Sequence, residues 1–106
     1  MILTTSDDIP GRRRVKTLGL VKGNTIRATH LGHDIMAFLR NLVGGEITDY
    51  TKIFAEAREQ SIDRMVADAE KLGADAITGI RFATTSMMQG AAELLCYGTA
   101  VKIEDE

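Results

Sequence analysis

The chain contains no tryptophan, one proline and one cysteine among its 106 residues, and these scarcities limit what the protein can be. The single Cys96 excludes a disulfide within the chain and agrees with a reducing compartment. Because only three Phe and two Tyr are present, small aliphatic side chains and methionine must fill the core. Such side chains each bury little area, so we expect one domain over residues 1–106 with a thin core. Proteins with a thin core commonly gain stability by burying further surface between subunits.

Long hydrophobic runs are also missing. The apolar start, Met1 to Leu3, gives way at once to polar residues, so it lacks the apolar core of a signal peptide. No other segment approaches the roughly 20 apolar residues that cross a bilayer. We therefore predict a cytoplasmic protein that makes no membrane contact.

Charge is distributed unevenly along the chain. Between Gly11 and Arg27 there are six cations and no acid, whereas acids outnumber bases between Glu46 and Asp75. The run Arg12-Arg13-Arg14 could bind the phosphates of a nucleic acid, or form a solvated strand start, or contact the acidic segment of another subunit. The overall pI of about 5.7 disfavours nucleic-acid binding, because such domains commonly have a pI above about 9.

The spacing of apolar residues predicts one long helix from Thr48 to Leu72, which the left-handed conformation available to Gly73 would end. Strands are predicted where β-branched and apolar residues alternate. A turn is predicted at residues 22–25, where Gly and Asn tolerate positive φ. The predicted strands cover residues 2–5, 14–21, 25–29, 76–85 and 92–103, and a short helix is predicted over residues 33–43.

These elements predict an α+β two-layer sandwich in which the long helix crosses one face of an antiparallel sheet. The strands at 76–85 and 92–103 form a hairpin. Placing the last strand between the first long strand and the strand at 76–85 makes every pairing antiparallel, so we expect Leu94 to Val101 at the centre. A sheet this small leaves edges and one face exposed, and both invite subunit pairing.

Several segments resemble the YbjQ-like family of small prokaryotic proteins. They are Ile9-Pro10-Gly11, LRNLVGGEITDYTKIFAEARE, LGADAITGIRF, MMQGAAELL and YGTAVKI, which together extend from about Ile9 to Ile103. The resemblance implies a dodecin-like β-α-β-β core, with extra short strands that promote assembly into a ring, typically a homopentamer. It also brings a heavy-metal-binding label and no assigned function.

The candidate metal ligands are His30, Asp34 and Cys96, with His33 beside the first two. A structural zinc site normally needs four ligands, so His30 and His33 are too few to complete one within a subunit. Histidines at a helix start are more often a surface pair or a cap, and Cys96 lies in an apolar strand, where a cysteine usually serves as a small core side chain. We predict no cofactor, and a metal ion is the one alternative.

No pattern typical of an active site is found. Neither histidine is placed near Cys96 by the sequence, as nucleophilic catalysis would require. The carboxylates of Glu56, Glu59 and Asp63 are typical of a solvated helix face. We therefore predict a non-enzymatic homo-oligomeric ring that binds a small ligand between subunits. The alternative is a heavy-metal-binding protein whose sites repeat around the ring.

Overall fold

The computed structural model describes residues 1–28, 47–88 and 91–106. Its elements follow one another as β1 (Ile2–Leu3), β2 (Arg12–Ala28), α1 (Ile47–Lys71), β3 (Ala76–Met88) and β4 (Ala91–Asp105). The strands form one sheet in the order β1-β3-β4-β2, and α1 lies across one face, mainly over β2 and β4. The predicted α+β two-layer fold is therefore confirmed. The short helix predicted over residues 33–43 lies outside the described residues, and the dodecin-like comparison stays a prediction.

Helix α1 forms and ends as its sequence predicts, with boundaries one residue earlier at each end. Its buried side chains recur every four residues on the face toward the sheet: Ala57, Ser61, Met65 and Ala69. After the helix, Gly73 adopts a φ of 75°. The amides of Gly73 and Ala74 then donate to the carbonyl oxygens of Glu70 (3.0 Å) and Ala69 (3.2 Å). This pair of bonds is the Schellman motif, which satisfies carbonyls that the helix end would leave free.

The long strands pair antiparallel, and β4 lies between β2 and β3 as predicted. The short β1 differs, because Ile2 and Leu3 pair in parallel with Ala76 and Ile77. The sheet as a whole is therefore mixed rather than purely antiparallel. The long connection through β2 and α1 permits this parallel pair, which a tight hairpin could not form.

The turn predicted at residues 22–25 is wrong, since β2 runs unbroken from Arg12 to Ala28. Gly23 has a different role: it lies directly opposite Cys96 on the helix-covered face of the sheet. A Cβ atom at Gly23 would overlap the carbonyl oxygen of Ser61 and the amide nitrogen of Met65. The glycine therefore lets the helix backbone approach the strand, and its tolerance of positive φ is not used here.

The core between α1 and the sheet is thin, as the composition predicts. Among the described residues, five of the eleven buried hydrophobic ones are alanines. The central cluster consists of Val21, Met65, Ala69, Ile77, Ile80, Cys96 and Ala100. Because alanine buries little area, the free energy that this core contributes to folding is small for the length of the chain.

The opposite face of the sheet is covered at one end by the loop between β1 and β2. Arg14 holds this loop, donating from Nη2 to the carbonyl oxygen of Asp7 (2.7 Å) and to Oγ1 of Thr78 (3.4 Å). Loop residues including Ile9 thereby close over Val101 and Ile103. We call the rest of this face, around residues 20–26 of β2 and 93–99 of β4, the open face.

Candidate functional site

Cys96 lies at the centre of the core, where the sequence analysis expected a buried side chain. It is completely inaccessible to solvent. Its thiol donates a weak hydrogen bond to the sulfur of Met65, with 3.6 Å between the two sulfur atoms. Burial raises the pKa of the Cys96 thiol, because the thiolate would lose its hydration. The predicted burial is confirmed, and its environment is that of an unreactive thiol.

The described part of the chain does not assemble a metal site. It holds no group of three or more His, Cys, Asp or Glu side chains that could converge on an ion. Met65 is a further soft donor beside Cys96, and two sulfur atoms do not make a four-ligand site. His30 and Asp34 lie outside the described residues, as does His33. The metal assignment to His30, Asp34 and Cys96 therefore stays a prediction.

The arginine run at the start of β2 finds partners within the same chain. Arg12 Nε lies 3.0 Å from a carboxylate oxygen of Asp105, and Arg13 pairs with Glu104. Both acids belong to the end of β4, directly opposite the arginines in the strand register. Arg14 instead bonds the Asp7 carbonyl and Thr78. The charges of Arg12 and Arg13 are thus balanced locally, and both side chains remain exposed.

The carboxylates considered for acid–base chemistry do not form a pocket. Glu56, Glu59 and Asp63 are exposed on the side of α1 that faces away from the sheet. They surround a shallow surface together with Lys52 and Gln60. This arrangement matches the predicted solvated acidic face of the helix.

The open face carries the two large apolar side chains with the highest exposed fractions in the described sheet. Leu20 is 68% exposed and Ile26 is 54% exposed, although both point out of a regular strand. On the neighbouring β4, Leu95 and Tyr97 share this face and are half-buried. Within the described residues no element covers these four side chains. Apolar area of this kind on one sheet face is typical of a contact surface.

Two cations flank Tyr97 on the open face. Strand register places Lys22 of β2 on one side of Tyr97 and Arg81 of β3 on the other. Arg81 is fixed in position, since its Nη1 donates to the carbonyl oxygens of Thr5 and Ile80, both at 2.8 Å. In the part of the chain that is described, neither cation forms an ion pair. This row was not predicted from the sequence, because the turn predicted at residues 22–25 interrupts the alternation of Leu20, Lys22, Asn24 and Ile26.

The two outer edges of the sheet differ. On the β2 edge, Asp68 of α1 accepts a hydrogen bond from the amide of Lys22 (3.2 Å), and Arg64 donates to the carbonyl of Asn24 (2.5 Å). Bulges interrupt β2 near Val15 and Leu18. The β3 edge is paired or bonded only as far as Ile80, whose amide donates to Thr4. Within the described chain, residues 81–88 of β3 therefore form a stretch of edge without a backbone partner, whereas the β2 edge is partly occupied by side chains of α1.

None of the described helices combines the length and the apolar character needed to cross a membrane.

Comparison with known proteins agrees with this fold. A protein from Methanosarcina acetivorans named UPF0145 protein is 59% identical over 103 residues, with 97% of each chain covered. A UPF0145 protein from Pseudothermotoga lettingae is 56% identical, with 98% of each chain covered. These names describe no enzymatic activity. A crystal structure from Pediococcus pentosaceus, titled as a protein with unknown function of the DUF74 family, superposes with a TM-score of 0.63 at 18% identity. It covers 98% of each chain and shows the same fold.

The family model YbjQ, described as "Putative heavy-metal-binding", matches residues 1–104. This match extends over all the elements of the sheet and the helix. The chain therefore belongs to the YbjQ family, whose UPF0145 members it resembles along nearly its whole length.

Proposed function

We propose that the protein is a non-enzymatic homo-oligomer that closes into a ring and holds a small ligand between neighbouring subunits. The observation that carries this proposal is the open face, where Leu20 and Ile26 stand exposed above half-buried Leu95 and Tyr97. A thin core supports the same conclusion, because subunit contacts would bury the apolar area that the single chain leaves exposed.

The charges favour a contact between two different surfaces of neighbouring copies. The open face presents Lys22 and Arg81, whereas the outer side of α1 presents Glu56, Glu59 and Asp63. An open face that meets the helix of the next copy pairs opposite charges. Contacts between unlike surfaces are heterologous, and they close into rings when the rotation between copies permits. The number of subunits, five, rests on the family resemblance alone.

The ligand site would lie over Tyr97, between Lys22 and Arg81. A half-buried phenol ring offers an apolar surface, and cations on both sides favour a negatively charged ligand. The neighbouring subunit would provide the opposite wall. The proposal requires no nucleophile and no acid–base pair, in agreement with the non-enzymatic prediction.

Light scattering coupled to size exclusion tests the ring. We expect a single species whose mass is a multiple of 11.6 kDa. Leu20→Asp should lower that mass, because it replaces the most exposed apolar side chain of the open face by a charge. Leu72→Asp is the matched control, since Leu72 is also exposed but lies at the end of α1. A persistent monomer, or equal masses for the two variants and the wild type, would contradict the proposal.

Metal handling by His30, Asp34 or Cys96 is the second candidate function, and the family description favours it. Native mass spectrometry of protein purified without affinity metals separates the two candidates. A stoichiometric metal ion that is lost in His30→Ala supports metal handling. A bound organic molecule, lost instead in Arg81→Ala, supports the ligand site on the open face.

A further inference from the structure

We propose that the open edge of β3 is a two-fold contact surface at which a second copy of the chain adds its own β3 antiparallel, with Thr84 of one copy opposite Thr84 of the other. This contact is distinct from the heterologous contact of the proposed ring. It would join two copies, or two rings, by continuing the sheet.

The hydrogen-bonding groups on this edge follow from the register. Ile80 points its amide outward to Thr4, and backbone groups alternate along an antiparallel strand. Beyond Ile80, the backbone groups that point away from β4 therefore belong to Phe82, Thr84 and Ser86. Each of these residues lies opposite a β4 residue with which it exchanges no backbone hydrogen bond. In the described chain no hydrogen bond reaches these outward groups. An unpaired row of this kind is a template for another strand.

The opposite edge of the sheet, on β2, is partly protected against the addition of another strand. The outward amide of Lys22 donates to Asp68, and the outward carbonyl of Asn24 accepts a hydrogen bond from Arg64. Two bulges also distort the strand. Bulges and charged side chains are the devices that prevent edge-to-edge pairing. Since the β2 edge is partly occupied and the β3 edge from Phe82 to Ser86 has no partner in the described chain, the strand most available to the β3 edge of one copy is the β3 edge of another.

The side chains of the edge are compatible with self-pairing. From Phe82 to Met88 the sequence contains no charged residue. With Thr84 opposite Thr84, Phe82 lies opposite Ser86, and the two Arg81 residues are about 20 Å apart along the strands. Like charges therefore do not meet, and a cross-strand Thr–Thr pair is favourable. The helix leaves β3 almost uncovered, so Phe82, 45% exposed, does not obstruct an incoming strand.

A charge-exchange experiment tests this contact. Thr84→Lys and Thr84→Glu each place like charges directly opposite, and each variant alone should have half the mass of the wild type in light scattering. An equimolar mixture of the two variants should recover the wild-type mass, because Lys then faces Glu. Thr84→Val is the matched control and should keep the wild-type mass, and circular dichroism verifies that every variant is folded.

The outcomes separate this proposal from the ring. The β3 contact is wrong if Thr84→Lys keeps the wild-type mass, or if the mixture fails to reassociate after both single variants dissociate. Neither result contradicts the proposed ring. If the wild type is a dimer that Thr84→Lys halves and Leu20→Asp does not change, the ring is wrong and the β3 contact stands. A wild type that remains monomeric overturns both proposals.

Discussion

Gly23 lies directly beneath Ser61, and the absence of a side chain on the strand allows the helix backbone to rest against it. A methyl group at this position would overlap the Ser61 carbonyl oxygen and the Met65 amide nitrogen, which are backbone atoms that cannot rotate away. The helix would have to move away from the sheet.

We therefore expect Gly23→Ala to lower the free energy of unfolding by about 3 kcal/mol, at the upper end of overpacking effects. Urea denaturation followed by circular dichroism measures this change. Lys22→Ala, the neighbouring position with an exposed side chain, should cost less than about 0.5 kcal/mol. Equal losses in the two variants would show that the close approach is not important for stability.

Ser61 provides a second test of the helix–sheet contact. Its buried hydroxyl has three possible acceptors within hydrogen-bond distance. They are Thr25 Oγ1 (2.9 Å) and the carbonyl oxygens of Ala57 (2.9 Å) and Leu94 (3.1 Å). Ser61→Ala should cost about 1–2 kcal/mol, because the buried Thr25 hydroxyl loses a partner. In a double-mutant cycle, Ser61→Ala with Thr25→Val should cost less than the sum of the single changes. Strict additivity would mean that the two hydroxyls do not interact.

The raised pKa of Cys96 predicts a stability that falls in alkaline solution. In the unfolded chain the thiol ionises near its ordinary pKa of 9.0, whereas in the folded chain it keeps its proton to higher pH. Between these two pKa values the unfolded state binds fewer protons, so the free energy of unfolding decreases as pH rises. Below pH 9 the thiol is protonated in both states, so its contribution to the free energy of unfolding is fully present.

Thermal denaturation of the wild type and of Cys96→Ala over pH 7–11 isolates this effect from the titration of lysines. The difference between the two curves should be constant at low pH and should shrink above pH 9. Native labelling with a thiol reagent should also be slow compared with labelling in denaturant. Rapid native labelling would show that Cys96 is accessible, contrary to its position in the structure.

Asp68 is expected to protect the β2 edge. Asp68→Ala frees the Lys22 amide and should lower the free energy of unfolding by no more than about 1 kcal/mol, because the bond is exposed. Its main effect should be on association, since a second edge becomes available for strand pairing. Light scattering at increasing concentration should reveal species larger than the wild type. Glu70→Ala removes the same charge from an exposed helix position outside the proposed ring contact and should leave the mass unchanged.

Local sequence was sufficient to predict α1 and the central position of β4. The helix follows from apolar spacing and from Gly73, and both depend only on neighbouring residues. The place of β4 follows from the length of the connection through α1, which prevents β2 and β3 from forming a hairpin. These are properties of chain geometry that a sequence carries directly.

Other features depend on residues far apart in the chain and could not be predicted. The prediction of a turn at residues 22–25 was wrong because Gly23 is required by the helix that packs on it. Local turn preference contains no information about that contact. The partners of Arg12 and Arg13 are Asp105 and Glu104, which only the register of β2 with β4 identifies. The open face was predicted in general terms, whereas the row of Lys22, Tyr97 and Arg81 needed the strand alignment.

The position of β4 has a consequence for synthesis on the ribosome. Both β2 and β3 form their long ladders with β4, which follows them in the sequence, and Arg12 meets Asp105 only at the far end of that strand. As the nascent chain emerges, β2 therefore has no sheet neighbour until almost the entire domain has been translated. Pairings between such distant residues form slowly. Completion of the sheet therefore waits until β4 has emerged, and the β2 and β3 segments are potential substrates for chaperones until then.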